Sequence, residues 1–334
     1  MEFKEASERS KRVIEDASLM IEKYYGRGAG SESEASTQKE FLERLKKLPH
    51  SWDAHEETFR VSSYAFLSFD PMLGGFSSLS ILLWWLELPW AAWASSHFAI
   101  LIALLEFGLY KQFVDPFFPT KISRNVMARI APQFAVSRRI IIGGHADSAF
   151  HWRINPHYII LWFMHFIQFS SAFVVLGTTY ISPSNHRTTV FICIHSVCAF
   201  CLLTTVVNTN FRKTVDGAND NMSGTLVALE LAEFFANESN RLQRTEAVVL
   251  ITGSEEAGLR GAKAFAKAHE QELVGTCIDT VFLGFETLAE REALAVAHEE
   301  MNGLIKCDQR VVELHEHGMY QGCTSCCMQS NSNL

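Results

Sequence analysis

The sequence predicts an α/β fold: a mixed, mostly parallel sheet flanked by helices and interrupted by apolar transmembrane helical hairpins. Three observations carry that prediction. Short apolar runs that read as strands alternate with helical patterns, as in a sheet covered on both faces. Three of these runs, Ile140-Ile-Ile-Gly-Gly-His145, Val248-Val-Leu-Ile-Thr-Gly-Ser-Glu255-Glu256 and Val281-Phe-Leu-Gly-Phe-Glu286, end in a histidine or a carboxylate. Between them lie stretches too long for strands. Residues 154–186 hold 33 consecutive positions without Asp, Glu, Lys or Arg, and 188–211 hold another 24, against roughly 20 helical residues needed to cross a bilayer.

Taken in order, Glu5–Tyr25 has helical periodicity, Gly26-Arg-Gly-Ala-Gly-Ser-Glu is a glycine-rich loop, and Ser36–Leu48 is a second charged helix. A strand follows near Glu57–Ser63. The apolar zone from Met72 to Tyr110 breaks at Glu87-Leu-Pro-Trp; its first half is short for a span, while Trp90–Tyr110 is long enough. Trp84, Trp85, Trp90 and Trp93 cluster at the break, as side chains at a membrane interface do. Asn125–Ile130 and Arg138–Gly143 read as strands. Tyr158–Ile181 and Thr188–Val207, joined by Ser-Pro-Ser-Asn-His-Arg, suit a helical hairpin, inside which His165 and His195 read as neutral histidines bonded to a neighbouring helix. Beyond it come a helix at Thr225–Phe235, a strand at Glu246–Thr252, a helix at Ala257–His269, a strand at Cys277–Phe285 and a polar, patternless tail.

Composition narrows the function. Lys and Arg total 29 against 37 Asp and Glu, a formal charge of −8, which argues against nucleic acid as a partner. Hydrophobic residues make up 48% and the mean hydropathy is +0.06, too apolar for a disordered chain. Eight cysteines, three of them in an apolar run, do not read as a disulfide framework. The opening residues lack the hydrophobic core of a secretory signal, so none is expected. Asn221 and Asn237 match the glycosylation tripeptide, a pattern that is frequent by chance.

The strand ends suggest chemistry. In an open parallel sheet, sites form outside the carboxyl ends of the strands, so His145, Asp147, Glu255, Glu256 and Glu286 should converge there. Asp216-Gly-Ala-Asn-Asp220 adds a turn that places an acid before a helix. One imidazole among several carboxylates is a ligand set suited to zinc.

The stretches GGHADS, DGANDNMSGTLVALELA and ITGSEEAGLRGAKAF resemble, in order and chemistry, those of the co-catalytic di-zinc aminopeptidases, a group that includes glutamate carboxypeptidases and glutaminyl cyclases. The likeness covers roughly residues 124–290, with a looser one in GRGAGSESE. It implies a zinc-dependent peptidase acting on peptides. His145 would ligate one zinc and Asp147 orient that imidazole; Asp220 would bridge two metals, Glu255 would be the general base and Glu256 a ligand of the second zinc. Glu286 stands where the family usually has an Asp ligand, with Asp279 as the alternative.

Two departures follow. Here 72 residues separate Asp147 from Asp220, where soluble relatives have a short segment, and only 48 follow Glu286. The family's final zinc histidine would have to be His298, His315 or His317, or be absent from a C-terminally truncated chain; two zincs are expected for the family and one if that ligand is absent. The expected organisation is a peptidase domain in pieces at 1–71, 111–153 and 212–317, with apolar hairpins at 72–110 and 154–211 and an irregular tail at 318–334. Lys111, Lys121, Arg124, Arg153, Arg212 and Lys213 flank the spans on the catalytic side, whereas the far loops hold only Arg187. The positive-inside rule then puts an integral membrane protein's catalytic domain in the cytoplasm, with lipid as a further partner. Alternatives are a catalytically incomplete binding protein and a single-zinc glutaminyl cyclase-like enzyme.

Overall fold

The computed structural model describes residues 3–153, 158–181, 189–288, 295–299, 306–313 and 316. Contacts divide the chain into one compact unit, Met1–Thr287, and a second, Leu288–Leu334. In the second, Glu299 and Lys306 form an antiparallel bridge, and His298 Nε2 lies 3.0 Å from Glu316.

The first unit opens with helices α1 (Phe3–Lys23) and α2 (Glu32–Lys46) and strand β1 (Ser51–Val61). Two apolar helices follow, α3 (Phe69–Trp85) and α4 (Pro89–Ala103), then strands β2 (Lys121–Ile130), β3 (Arg138–His145) and β4 (Phe150–Trp152). Next come the apolar pair α5 (Tyr158–Thr178) and α6 (Thr189–Asn208), and strand β5 (Thr209–Thr214). The unit closes with α7 (Gly224–Ala236), β6 (Thr245–Thr252), α8 (Arg260–Ala268), α9 (Glu270–Val274) and β7 (Asp279–Gly284).

Five strands form a mixed sheet in the order β1-β2-β6-β3-β7. β3 runs parallel to both β6 and β7, whereas β2 is antiparallel to β1 and β6. The parallel part is therefore the half that carries the predicted site. β6 is buried on both faces, which explains its continuous apolar run. Ala247, Val249 and Ile251 pack with Phe41 and Leu45 of α2 and Leu226 and Leu229 of α7, while Val248 and Leu250 pack on the other face with Phe265 of α8.

The apolar helices α3 to α6 form a bundle with its own core, including Leu73, Ile102, Val175 and Leu202. The bundle is apolar outside as well: Trp90 is 83% exposed and Phe200 73%. Among the described residues, three helical stretches are long and apolar enough to cross a membrane, Phe66–Trp85, Pro89–Gly108 and Thr189–Asn208. The first is longer than the sequence suggested. A single turn at Phe66–Ser68 leads into α3 and Pro71 sits in its first turn, where a missing N–H costs nothing.

Trp84 departs from expectation. It is fully buried, and its indole N–H donates to the Ile181 carbonyl at 3.0 Å, so it belongs to the bundle interior rather than to an interface. His195 matches the reading of a satisfied histidine: Nδ1 accepts the Trp85 indole N–H at 2.9 Å and Nε2 lies 3.1 Å from the Thr178 hydroxyl.

A two-stranded ribbon, β4 against β5, joins the α5–α6 pair to the sheet domain. The α3–α4 pair is fastened separately. Arg260, at the start of α8, sets its guanidinium 2.8 Å from Asp115 and 3.6 Å from Glu106, and the Lys263 ammonium donates to the Tyr110 carbonyl.

Candidate metal centre

Three strand ends and one turn deliver the predicted side chains to a common point. β3 and β6 run so close that a Cβ on Gly143 would stand 2.1 Å from the Leu250 carbonyl oxygen, so glycine is what lets β3 reach its end in register. His145, the last residue of β3, is buried, and its carbonyl accepts the Thr225 hydroxyl at 2.8 Å. Asp220 arrives on a turn that opens with Gly217 at a left-handed φ of 61°. The neighbouring Asn221 fixes that turn to β7. Its amide donates to the Phe285 carbonyl at 2.7 Å and its Oδ1 accepts the Gly224 N–H at 3.1 Å, which also sets the approach of Glu286.

His145 Nε2 lies 3.0 Å from Asp220 Oδ1, 3.1 Å from Glu286 Oε1 and 3.7 Å from Glu255 Oε2. On the other side of the ring, Nδ1 is 3.3 Å from Asp147, which is fully buried. The two oxygens of Asp147 accept the N–H groups of Glu255 and Glu256 at 2.9 and 3.0 Å. One carboxylate thus orients the imidazole and the backbone of both glutamates.

Five of the six predicted residues fall in two groups whose ligand atoms lie within 4.8 Å of one another, His145 with Asp220 and Glu286 and His145 with Glu255 and Glu256, and the sixth, Asp147, sits behind His145. Asp220 falls in the first group, beside Glu286, rather than in the group around Glu256. Asp279 opens β7, opposite Arg138 at the far end of the sheet, which removes it as the alternative to Glu286. His315 and His317 lie outside the described residues, as does the tail 318–334.

The electrostatics are those of a site crowded with negative charge. Burial by itself would lower the His145 pKa, but hydrogen bonds to Asp147, Asp220 and Glu286 outweigh it and raise the value well above the ordinary one. Burial pushes Glu255 up to about 7, aided by the charges of Asp147, Glu286 and Asp220 and opposed by His145. Glu256 is raised well above the usual range by burial and by the Glu255 charge, and Glu286 is raised chiefly by burial. Asp220 goes the other way, since its bond to His145 overcomes the cost of burial.

Such a cluster fits a divalent cation. Among the described residues, Glu256 Oε1 is buried with no hydrogen-bond partner, and a cation would relieve the repulsion that lifts the neighbouring carboxylates. The donors, one imidazole nitrogen and carboxylate oxygens, are those zinc takes. An open cleft of about 450 Å³ runs from Asp220 past Tyr25, His151, Lys213 and Asp216, so one wall of the approach is the β4–β5 ribbon.

Sequence reasoning missed three supporting residues. Arg27 is fully buried in the glycine-rich loop and donates to the carbonyls of Ala146 and Gly217, both at 2.9 Å, clamping the His145 and Asp220 segments together. Glu34 reaches the Glu255 loop from α2. Asn221 had been read only as a glycosylation match; its burial and its two hydrogen bonds make it a strut instead. The Ser31-x-x-Glu34 spacing was the available signal for Glu34, as a capping box.

Residues 187–296 match the model of Peptidase family M28, a segment of about a third of the chain that contains Asp220, Glu255, Glu256 and Glu286. Over that segment the family match and the likeness read from the motifs agree. No curated protein matches the chain. Among solved structures it is similar to the glutaminyl cyclase of Fimbriiglobus ruber, at 12% identity and a TM-score of 0.44, over 87% of this chain and 65% of that one. It is also similar to a leucine aminopeptidase precursor from Bacteroides thetaiotaomicron, at 9% identity and a TM-score of 0.41, over 85% and 64%. A third is the aminopeptidase from Aneurinibacillus sp. strain AM-1, at 14% and 0.43, over 85% and 71%. The chain therefore spans a little under two thirds of the length of the first two.

Proposed function

From the match to a peptidase family, we propose that this chain is a zinc-dependent metallopeptidase of aminopeptidase type, held in a membrane by its apolar helices. The observation that carries the reading is the convergence of His145, Asp220, Glu255, Glu256 and Glu286 on one point, with a buried carboxylate oxygen of Glu256 left unbonded. His145, Asp220 and Glu286 would hold one zinc, and Glu256, which groups with His145 and Glu255, would contribute to a second. Zinc bound there supplies Lewis-acid polarisation of a carbonyl and a lowered pKa for water.

The chain's own groups supply the rest. Asp147 lies against Nδ1 of His145, so that with zinc bound it would accept that N–H and leave the Nε2 lone pair for the metal. Glu255, on the rim at 3.7 Å from His145, takes a proton from the attacking water and returns it to the leaving amine. Metal content of the purified full chain, measured with hydrolysis of an aminoacyl anilide, tests this. Zinc with turnover is expected; zinc without turnover returns the binding-protein alternative, and no zinc at all overturns the assignment.

Membrane attachment has separate support. Among the described residues three helices are long and apolar enough to span, and the bundle surface is itself apolar. In this reading the cations that flank the spans keep the catalytic domain on the cytoplasmic side. Membranes washed with carbonate should retain the intact chain; its recovery as a soluble monomer without detergent would contradict a spanning bundle.

A further inference from the structure

The loop that carries Glu255 and Glu256 is held by two buried carboxylates, and only one of them belongs to the metal centre. Asp147 accepts the N–H groups of Glu255 and Glu256. The preceding N–H, that of Ser254, goes to Glu34 Oε1 at 2.7 Å, with the Ser254 hydroxyl at 3.3 Å from the same oxygen. Three consecutive N–H groups thus end on two acids from distant parts of the chain. Ser254 is itself at a left-handed φ of 54°, a conformation that an ordinary residue keeps only when its surroundings hold it there.

Glu34 serves two elements at once. Ser31 is the N-cap of α2, and its hydroxyl accepts the Glu34 N–H at 3.1 Å. Glu34 Oε2 closes the start of the helix by accepting the Gly30 N–H at 2.8 Å. An acid whose only task was to cap the helix would leave its second oxygen facing water. Here the side chain is fully buried, and the Ser123 hydroxyl of β2 lies 3.1 and 3.2 Å from its two oxygens.

We propose that Glu34 is a positioning residue for the Glu255–Glu256 pair, fixing through Ser254 the backbone from which the candidate base and the candidate ligand project. The inference rests on the zinc peptidase reading for its catalytic consequence, but its structural part does not. Both oxygens of Glu34 accept backbone N–H groups, so an amide in its place sets an NH2 against either Gly30 or Ser254, and the arrangement cannot be satisfied as it stands. Groups that orient metal ligands typically affect metal affinity or activity by about 10–100-fold when removed.

The test uses the full chain in detergent and compares Glu34→Gln with Ser31→Ala, which weakens the cap of α2 without touching Ser254. Hydrogen exchange over residues 251–259 should accelerate about 10-fold or more in Glu34→Gln and stay unchanged in Ser31→Ala. Zinc affinity, read by competition with a chelator, should weaken about 10–100-fold in Glu34→Gln alone. If zinc-loaded Glu34→Gln turns over an aminoacyl anilide, kcat should fall with KM unchanged. Wild-type exchange in Glu34→Gln overturns the proposal, as does a Ser31→Ala variant that reproduces the whole effect. Accelerated exchange in a protein whose wild type holds no zinc supports the role of Glu34 and overturns the metallopeptidase reading instead.

Discussion

The carboxyl end of the sheet and the interior of the helix bundle both bury polar groups, yet they treat them differently. In the bundle, several neutral groups each end on one backbone carbonyl: the Ser80 hydroxyl donates to the Ala92 carbonyl at 2.8 Å, the Ser95 hydroxyl to the Phe76 carbonyl at 2.7 Å, and the Trp84 indole to Ile181 at 3.0 Å. At the strand ends, five carboxylates surround one imidazole, and the charges of their neighbours raise the cost of ionising Glu255 and Glu256. Polar groups that mutually destabilise their charged forms are expensive to keep, and the arrangement makes physical sense as a receptor for positive charge. The contrast teaches how to separate packing from chemistry where both are buried.

The sharpest way to break the comparison is at Glu255. Glu255→Gln keeps the shape of the side chain and removes the base, so zinc should stay bound while hydrolysis of an aminoacyl anilide falls about 10²–10⁴-fold. Full activity in that variant would mean the crowded carboxylates are structural after all.

A smaller effect should appear in the metal-free protein as a function of pH. Glu34 is pushed up to about 8, by burial first and the Asp147 charge second, and Glu255 up to about 7. An acid whose folded pKa lies above its unfolded one favours folding fully at pH values below the unfolded pKa and loses that contribution as the pH climbs through the folded one. Glu256, Glu286 and His145 shift in the same direction, against Asp220 alone among the site residues. Thermal unfolding of the zinc-free protein should therefore occur at progressively lower temperature between about pH 5 and about pH 8, and added zinc should reverse the trend. A melting temperature that rises over this window would show that the site is not the dominant electrostatic load.

The bundle side of the contrast predicts the least. Ser95→Ala removes one hydroxyl bond to a carbonyl and should lower stability by about 1 kcal/mol, with no change in zinc content. Loss of metal in that variant would join the two regions that are here held apart.

Much of this is legible in the sequence, for a physical reason. A strand buried on both faces must be apolar throughout, so β3 and β6 announce themselves, and the polar residue that ends each one marks where the chain leaves the sheet. β1 was caught only in part. Its residues from Ser51 alternate polar and apolar around a bulge between Trp52 and His55, which breaks the two-residue period. The ribbon was missed because β4 has three residues, too few for any pattern. Trp84 was misplaced because composition shows that a tryptophan is near a helix end but not which side faces the other helices. Arg27, and the reach of Glu34 beyond its helix cap, are hidden for a third reason: each acts on backbone groups far along the chain, and a backbone carbonyl or N–H leaves no mark in a sequence.

The ribbon bears on how such a chain could be assembled from parts. Trp152 and Thr209 are cross-strand partners, and Phe150 pairs with Thr214, so the path from His145 to Asp220 closes on itself before the α5–α6 pair begins. A tight turn joining Trp152 to Thr209 would complete that circuit as an ordinary β-hairpin. The apolar pair thus sits at the tip of a stem that is zipped shut, so that residues on either side of it keep their spacing whatever is carried at its tip.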